Sequence, residues 1–365
     1  MSTGLPEPMR RLLPLAWPAL AILAPLFVYT MLVGGVLDGL APDRERIDAL
    51  ALTLDLGAPT TAPSADAAPP VPVHARELTA RLAFGLACLV FLVVAIASIL
   101  YGAIAVGGRR GAWAGVMLLV VGFVVGLRVF VSDSGIAPEF AADGSLSWMA
   151  GLKSLFGGFS PAIQDGMRAL IVTETREAAV AAGLVPAAVD AQMIMLAAMV
   201  PAIGTAATAA LVLRFAEIAL WATEDEDEVE DLRARWTALR TTLLLGATVL
   251  TLATVGSREF YAWPVSMLSP ASAAALGPIA NTGGALWGTL FTLLLVSTAV
   301  PAFLALHLEI EGKLDREAMD KPTRKAWRER HGLMLAPAQA LSGVFAAATP
   351  LLATPALDAL TTLFA

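Results

Sequence analysis

From Ile194 to Leu213 the chain carries no charged residue, from Glu224 to Asp231 it holds seven carboxylates in eight positions, and from Leu243 to Val255 it is uncharged again. Arg233, Arg235 and Arg240 stand between the acidic turn and the second apolar run. A helix of ~20 apolar residues is as long as the ~30 Å hydrocarbon layer of a bilayer is thick. The pattern therefore reads as a membrane hairpin with its polar turn in water. Similar runs recur at Leu12 to Leu37, Leu82 to Val106, Trp113 to Val131 and Ala285 to Leu308, flanking the hairpin runs Ile194 to Leu213 and Leu239 to Val255. Of these, Leu239 to Val255 is the weakest, being short and broken by Arg240. With 57% hydrophobic and 15% charged residues and a mean hydropathy of +0.73, the fold class is all-α. The expectation is a polytopic helical membrane protein of about six transmembrane helices, with an outer amphipathic helix and a charged cytoplasmic tail.

Charge sets the orientation. Arg10 and Arg11 precede an apolar run too long for a signal-peptide core, which reads as an uncleaved anchor with a cytoplasmic N-terminus. Arg109 and Arg110, in the tight turn from Gly107 to Gly111, also belong inside. So do Lys313, Arg316, Lys321, Arg324, Lys325, Arg328 and Arg330 after the sixth run. This arrangement puts fourteen basic residues on the cytoplasmic side and eight on the other, as the positive-inside rule asks of a bacterial-type inner membrane. Both termini are then cytoplasmic. Leu333 to Ala365, interrupted by Pro337, Pro350 and Pro355, is expected to lie on the cytoplasmic face without crossing.

The segments follow as 1–37, an anchor span; 38–81, a linker rich in Pro and Ala from Pro59 to Pro72; 82–131, a hairpin; 132–193, an outer segment; 194–256, the acidic hairpin; 257–308, an outer loop and the sixth span; and 309–365, the tail. Ser160 and Pro161 supply an N-cap and first-turn proline, and Gly183 and Pro186 a stop, for an outer helix from Pro161 to Ala182 with Ala178 on its apolar stripe. Thr223 and Glu226 form a capping box for a helix running unbroken through Leu232 and Trp236 into the fifth span. Phe260, Tyr261 and Trp263 open the last outer loop, Ser257 to Gly284, as an aromatic anchor at headgroup level. Pro25, Pro201 and Pro301 each remove a helix hydrogen bond and mark expected bends. Gly111, Gly115, Gly122 and Gly126 form a small-residue packing face on the third span.

Candidate functional residues are few. Arg214 and Glu217 stand one turn apart where the fourth span leaves the hydrocarbon, an interfacial ion pair or a charged gate. Glu174 and Glu177 share the apolar stripe of the outer helix, and Arg128 closes the third span. Three histidines, His74, His307 and His331, are scattered, and no hydrolase elbow, Walker loop or dinucleotide fingerprint occurs in a supporting context. No cofactor, metal or catalytic residue is assigned. A net charge of −7 argues against nucleic acid. The expected partners are the bilayer, anionic headgroups at the basic tail, and a protein partner or a second copy of the chain. The acidic turn is expected to attract the basic tail. The function these features favour is a non-catalytic sensor, scaffold or assembly component, ahead of a transporter built on a three-plus-three inverted repeat with proline-bent spans and of an enzyme acting on lipid.

Overall fold

The computed structural model describes residue 54 and residues 72–105, 175–220, 228–317, 319–333 and 348–353. Among them the chain is helical: α1 (Val73–Ala105), α2 (Thr175–Ala181), α3 (Ala187–Leu220), α4 (Glu228–Val265), α5 (Pro270–Arg316) and α6 (Lys321–His331), followed by a helical turn at 348–353. Four of these, α1, α3, α4 and α5, are long and apolar enough to cross a membrane. The expected spans Leu12 to Leu37 and Trp113 to Val131 lie outside the described residues. So do Pro25, Arg128, Gly107 to Gly111, Gly115, Gly122, Gly126 and the capping pair Thr223 and Glu226.

Hydroxyl side chains survive in these helices by bonding to their own backbone. Ser98, Thr242, Thr248, Thr254, Thr289 and Thr298 each donate to the carbonyl four residues earlier at 2.7–2.9 Å. A polar group satisfied within its own helix presents little desolvation cost to an apolar surrounding.

α4 is the central element, packing on α1, α3 and α5. Phe215, Ile218, Leu232, Trp236, Leu250, Leu295, Leu306 and Ile310 make the main core between α3, α4 and α5. Phe91, Ala95, Ile203, Ala207 and Val249 make a second one toward α1. α1 and α3 lie parallel: Phe84 packs with Ala197, the Phe91 ring fills the space over Gly204, and a Cβ on Gly102 would stand 3.0 Å from that of Ala210. Parallel neighbours need a return path. Ala105 ends α1 at the Arg235 end of the bundle, whereas α2 buries Ala179 with Trp263 and Met267 at the other end.

Several expectations change. The stretch from Ser257 to Gly284 is not a loop: α4 runs through Pro264 to Val265 and α5 starts at Pro270, leaving only 266–269 between them. The reason is local. Ser269 caps α5 by accepting from Ser272 N, with Pro270 in the first turn. Phe260, Tyr261 and Trp263 therefore belong to α4, and Trp263 is fully buried within the protein. Of the outer helix only Thr175–Ala181 is described; it ends as expected at Gly183 (φ 73°), where Leu184 N donates to Ala179 O at 2.9 Å. Its buried residues are Thr175 and Ala179, so Ala178 faces out. Pro201 and Pro301 lie within α3 and α5, whose helices continue on both sides of each, as a bend at proline allows.

The C-terminal turn departs furthest from expectation. Leu333 packs with Leu314 and Ile310 at the Arg235 end. Pro350 instead lies backbone-on against Gly288, where any side chain would collide with its carbonyl. Gly288 and Ile310 are ~33 Å apart along α5 at 1.5 Å per residue. Leu333 and Pro350 thus sit at opposite ends of α5's apolar stretch, and residues 348–353 do not stay on the face occupied by α6.

Candidate functional site

The densest polar chemistry among the described residues gathers where α3 ends and α4 begins beside the C-terminal part of α5. Leu232, Arg235, Trp236 and Leu239 share one face of α4, so Arg235 is carried inward with three core residues. Its side chain is 8% exposed. Nη1 and Nη2 each donate to one oxygen of Glu309 at 2.8 Å, a fork-on-fork pair. Nε and Nη2 also donate to the Ile218 carbonyl at 3.1 and 2.8 Å, and Nη1 reaches Asp231 at 3.4 Å. Ile218 lies in the last turn of α3, where carbonyls lack intrahelical partners. One guanidinium thus ties three helices together. Its donors are taken up within the bundle and do not reach outward to lipid phosphate.

α5 continues beyond this knot and presents a second face to α6. Asp320 caps α6 by accepting from Thr323 N at 3.2 Å, and Gly332 closes it at φ 67°. Trp327 packs against the main core, which fixes how α6 lies. Arg324 pairs with Asp315 at 2.6 Å and Glu311 at 3.6 Å and donates Nε to Met319 O at 2.8 Å; Arg328 also pairs with Glu311. His307, which does not share a face with Glu309, stands 3.6 Å from Glu311. Glu311, Met319, Asp320, Lys321, Arg324, Lys325 and Arg328 line an open cleft of about 590 Å³.

The Thr323 hydrogen bonds hold the Asp320 carboxyl below its ordinary value. A carboxylate depressed in the folded state contributes stability that is present above its unfolded value and lost as pH falls through the folded one. Exchange of the Thr323 amide, followed by hydrogen–deuterium exchange, is therefore expected to speed up as pH drops through the carboxylate range, after correction for intrinsic exchange. Asp320→Asn, which keeps a capping oxygen, is expected to abolish that dependence. Equal pH dependence in both proteins would remove Asp320 as its source.

The other end of the bundle holds a buried acid. Glu77 shares the α1 face of Phe84, Cys88 and Phe91, is 5% exposed, and accepts from Trp263 Nε1 at 3.0 Å with Arg81 at 3.5 Å. Arg176 pairs with Asp190, joining α2 to α3, and Arg258 with Glu259 at 2.7 Å.

Of the residues singled out by sequence, Arg214 and Glu217 form an ion pair on α3, both side chains under 20% exposed. Glu177 is exposed on α2, and Glu174 lies outside the described residues. The structure does not bring these together. The groups sequence reasoning missed, Arg235 with Glu309 and Glu77 with Trp263, carried a signal: each charged residue falls on the apolar arc of its own helix. The basic tail finds carboxylates on α5, whereas the described end of the acidic run, Asp231, pairs with Arg235; residues 224–227 lie outside the described residues. The chain matches no protein-family model, no curated protein and no solved structure.

Proposed function

We propose that this chain is a multi-pass protein of a bacterial-type inner membrane, with its N-terminus and α6 in the cytoplasm, acting as a non-catalytic sensor, scaffold or assembly component. The membrane reading rests on four helices of spanning length together with exposed apolar side chains such as Leu82, Leu86, Val93 and Ile104, each more than 60% exposed. A continuous apolar face of that kind is incompatible with water. The orientation rests on the arginines and lysines of α6 and the end of α5.

The observation that carries the scaffold reading is the Arg235 knot. It holds α3, α4 and α5 in one arrangement at the mouth of the bundle, whereas alternating access needs helices that rock past one another. The proline positions point the same way. Pro201 is followed by Ile203, Ala206 and Ala207, which pack with Phe91 and Val249; Pro301 is followed by Ala302 and Phe303, which pack with Trp236 and Leu306. A transport site would place polar groups there.

The test is flux. Purified protein in sealed proteoliposomes, screened for currents and uptake with inorganic ions, amino acids and sugars, is expected to match empty liposomes. Saturable flux that disappears in Arg235→Ala would replace the scaffold reading with the transporter.

A further inference from the structure

The α5 face that meets α6 is the continuation of an exposed apolar face on which no other described element packs. Val296, Val300, Leu304 and Leu308 follow at four-residue intervals and are 38%, 46%, 48% and 69% exposed. At 100° per residue, Glu311 and Asp315 fall inside the same arc of about 120°. The apolar stripe therefore leads directly into the cleft between α5 and α6, with Arg324 and Arg328 held over it by those two carboxylates. Glu309, which turns inward to Arg235, lies on the opposite side of the helix.

The lengths match a phospholipid. From Val296 to Leu308 is ~18 Å along α5, against ~15 Å for one hydrocarbon leaflet. Glu311 and Asp315 follow ~4.5 and ~10 Å beyond Leu308, within and just past a headgroup layer of ~6 Å. The cleft's cations, Lys321, Arg324, Lys325 and Arg328, outnumber its carboxylates, Glu311 and Asp320, by two. Arg324 and Arg328 are committed to Glu311 and Asp315, while Lys321 and Lys325 are exposed at the rim, the Lys325 side chain at 70% with a long 3.9 Å ion pair to the exposed Glu329. An ammonium on a flexible stem is suited to a phosphate that arrives from the bilayer.

We propose that this surface binds one anionic glycerophospholipid, its phosphate at Lys321 and Lys325 in the α5–α6 cleft and one acyl chain along Val296, Val300, Leu304 and Leu308. This rests on the reading that the chain spans a bilayer. The lipid would fix the angle between α6 and α5, so the charge of the inner leaflet would be read as the position of a cytoplasmic helix.

The test uses the full chain. Incorporation into phosphatidylcholine nanodiscs establishes membrane insertion separately, and failure there sinks the membrane reading itself. Inserted protein is then extracted with phosphatidylglycerol and phosphatidylcholine of identical chains, and lipid retention is read by native mass spectrometry. Preferential retention of one phosphatidylglycerol is expected, falling on the order of tenfold in Lys321→Ala/Lys325→Ala. Both lysines are exposed, so that variant folds, and unchanged helicity by circular dichroism checks it. Leu304→Ala/Leu308→Ala is expected to weaken retention without altering the preference for the anionic headgroup. Equal retention of the two lipids, a preference untouched by the lysine variant, or displacement by millimolar inorganic phosphate would each overturn the proposal.

Discussion

Replacing Arg235 by alanine is expected to destabilise the bundle by about 3 kcal/mol or more, because truncating one partner of a buried ion pair strands the other. Glu309 is 25% exposed, so water relieves it in part and the effect falls toward the lower end of the usual 3–5 kcal/mol. The Ile218 carbonyl loses two donors in the same step. Glu309→Ala is expected to cost a comparable amount, since it leaves the more deeply buried guanidinium with Ile218 and a long contact to Asp231. The double variant should cost clearly less than the sum, a coupling of about 1–3 kcal/mol. Arg235→Lys keeps the charge but cannot form the fork and should rescue little. Denaturant titration of the four proteins in one detergent measures the cycle. A single-variant loss under 1 kcal/mol, or strict additivity, would mean that the three helices are held by apolar packing alone.

The long helices were legible in the sequence because nothing in a run of leucine, alanine and valine competes with the 3.6-residue ladder once water is absent. The expected runs 194–213, 239–255 and 285–308 fall on α3, α4 and α5, and 82–105 of the first run on α1. Their ends were less legible, and for a physical reason. Hydropathy locates the hydrocarbon, whereas a helix stops where its capping groups are. α4 therefore carries Arg258 and Glu259 past the apolar run to Val265, and α5 opens at Ser269 and Pro270, within a stretch that composition alone reads as loop.

The charged groups divide along the same line. Arg214 and Glu217 were visible because they are neighbours on one helix, and their pairing needs no tertiary information. Arg235 with Glu309, and Glu77 with Trp263, join residues far apart in the chain. Sequence supplies only half of each, namely a charge on an apolar arc, and the partner emerges from how α4 lies against its neighbours. The same limit applies to α6. Its basic composition was plain, but that Arg324 and Arg328 would settle on Glu311 and Asp315 depends on α6 folding back along α5.

Reporters fused after Gly332 and after Ala353 are expected to fall on opposite sides of the membrane. Two contacts set the sides. Leu333 is 3% exposed among Ile310 and Leu314, and Pro350 lies against Gly288, which is ~31 Å from Glu309 along α5. That separation equals the hydrocarbon thickness. Gly288 is what makes the second contact, since two backbones approach this closely only where a side chain is missing. Alkaline phosphatase, active only outside the cytoplasm, should be inactive after Gly332 and active after Ala353, with a fluorescent-protein fusion giving the reverse. If the whole bundle were inverted, both reporters would exchange sides and still disagree, so the result separates crossing from orientation. Gly288→Leu sets a side chain against the Pro350 carbonyl, where only a backbone shift makes room, at a cost of about 1–3 kcal/mol. Protease digestion near 348–353 should accelerate in that variant, while the contacts of α6 with Glu311 persist. Matching reporter activity at both positions would place 348–353 on the same side as α6 and rule out the Gly288 contact.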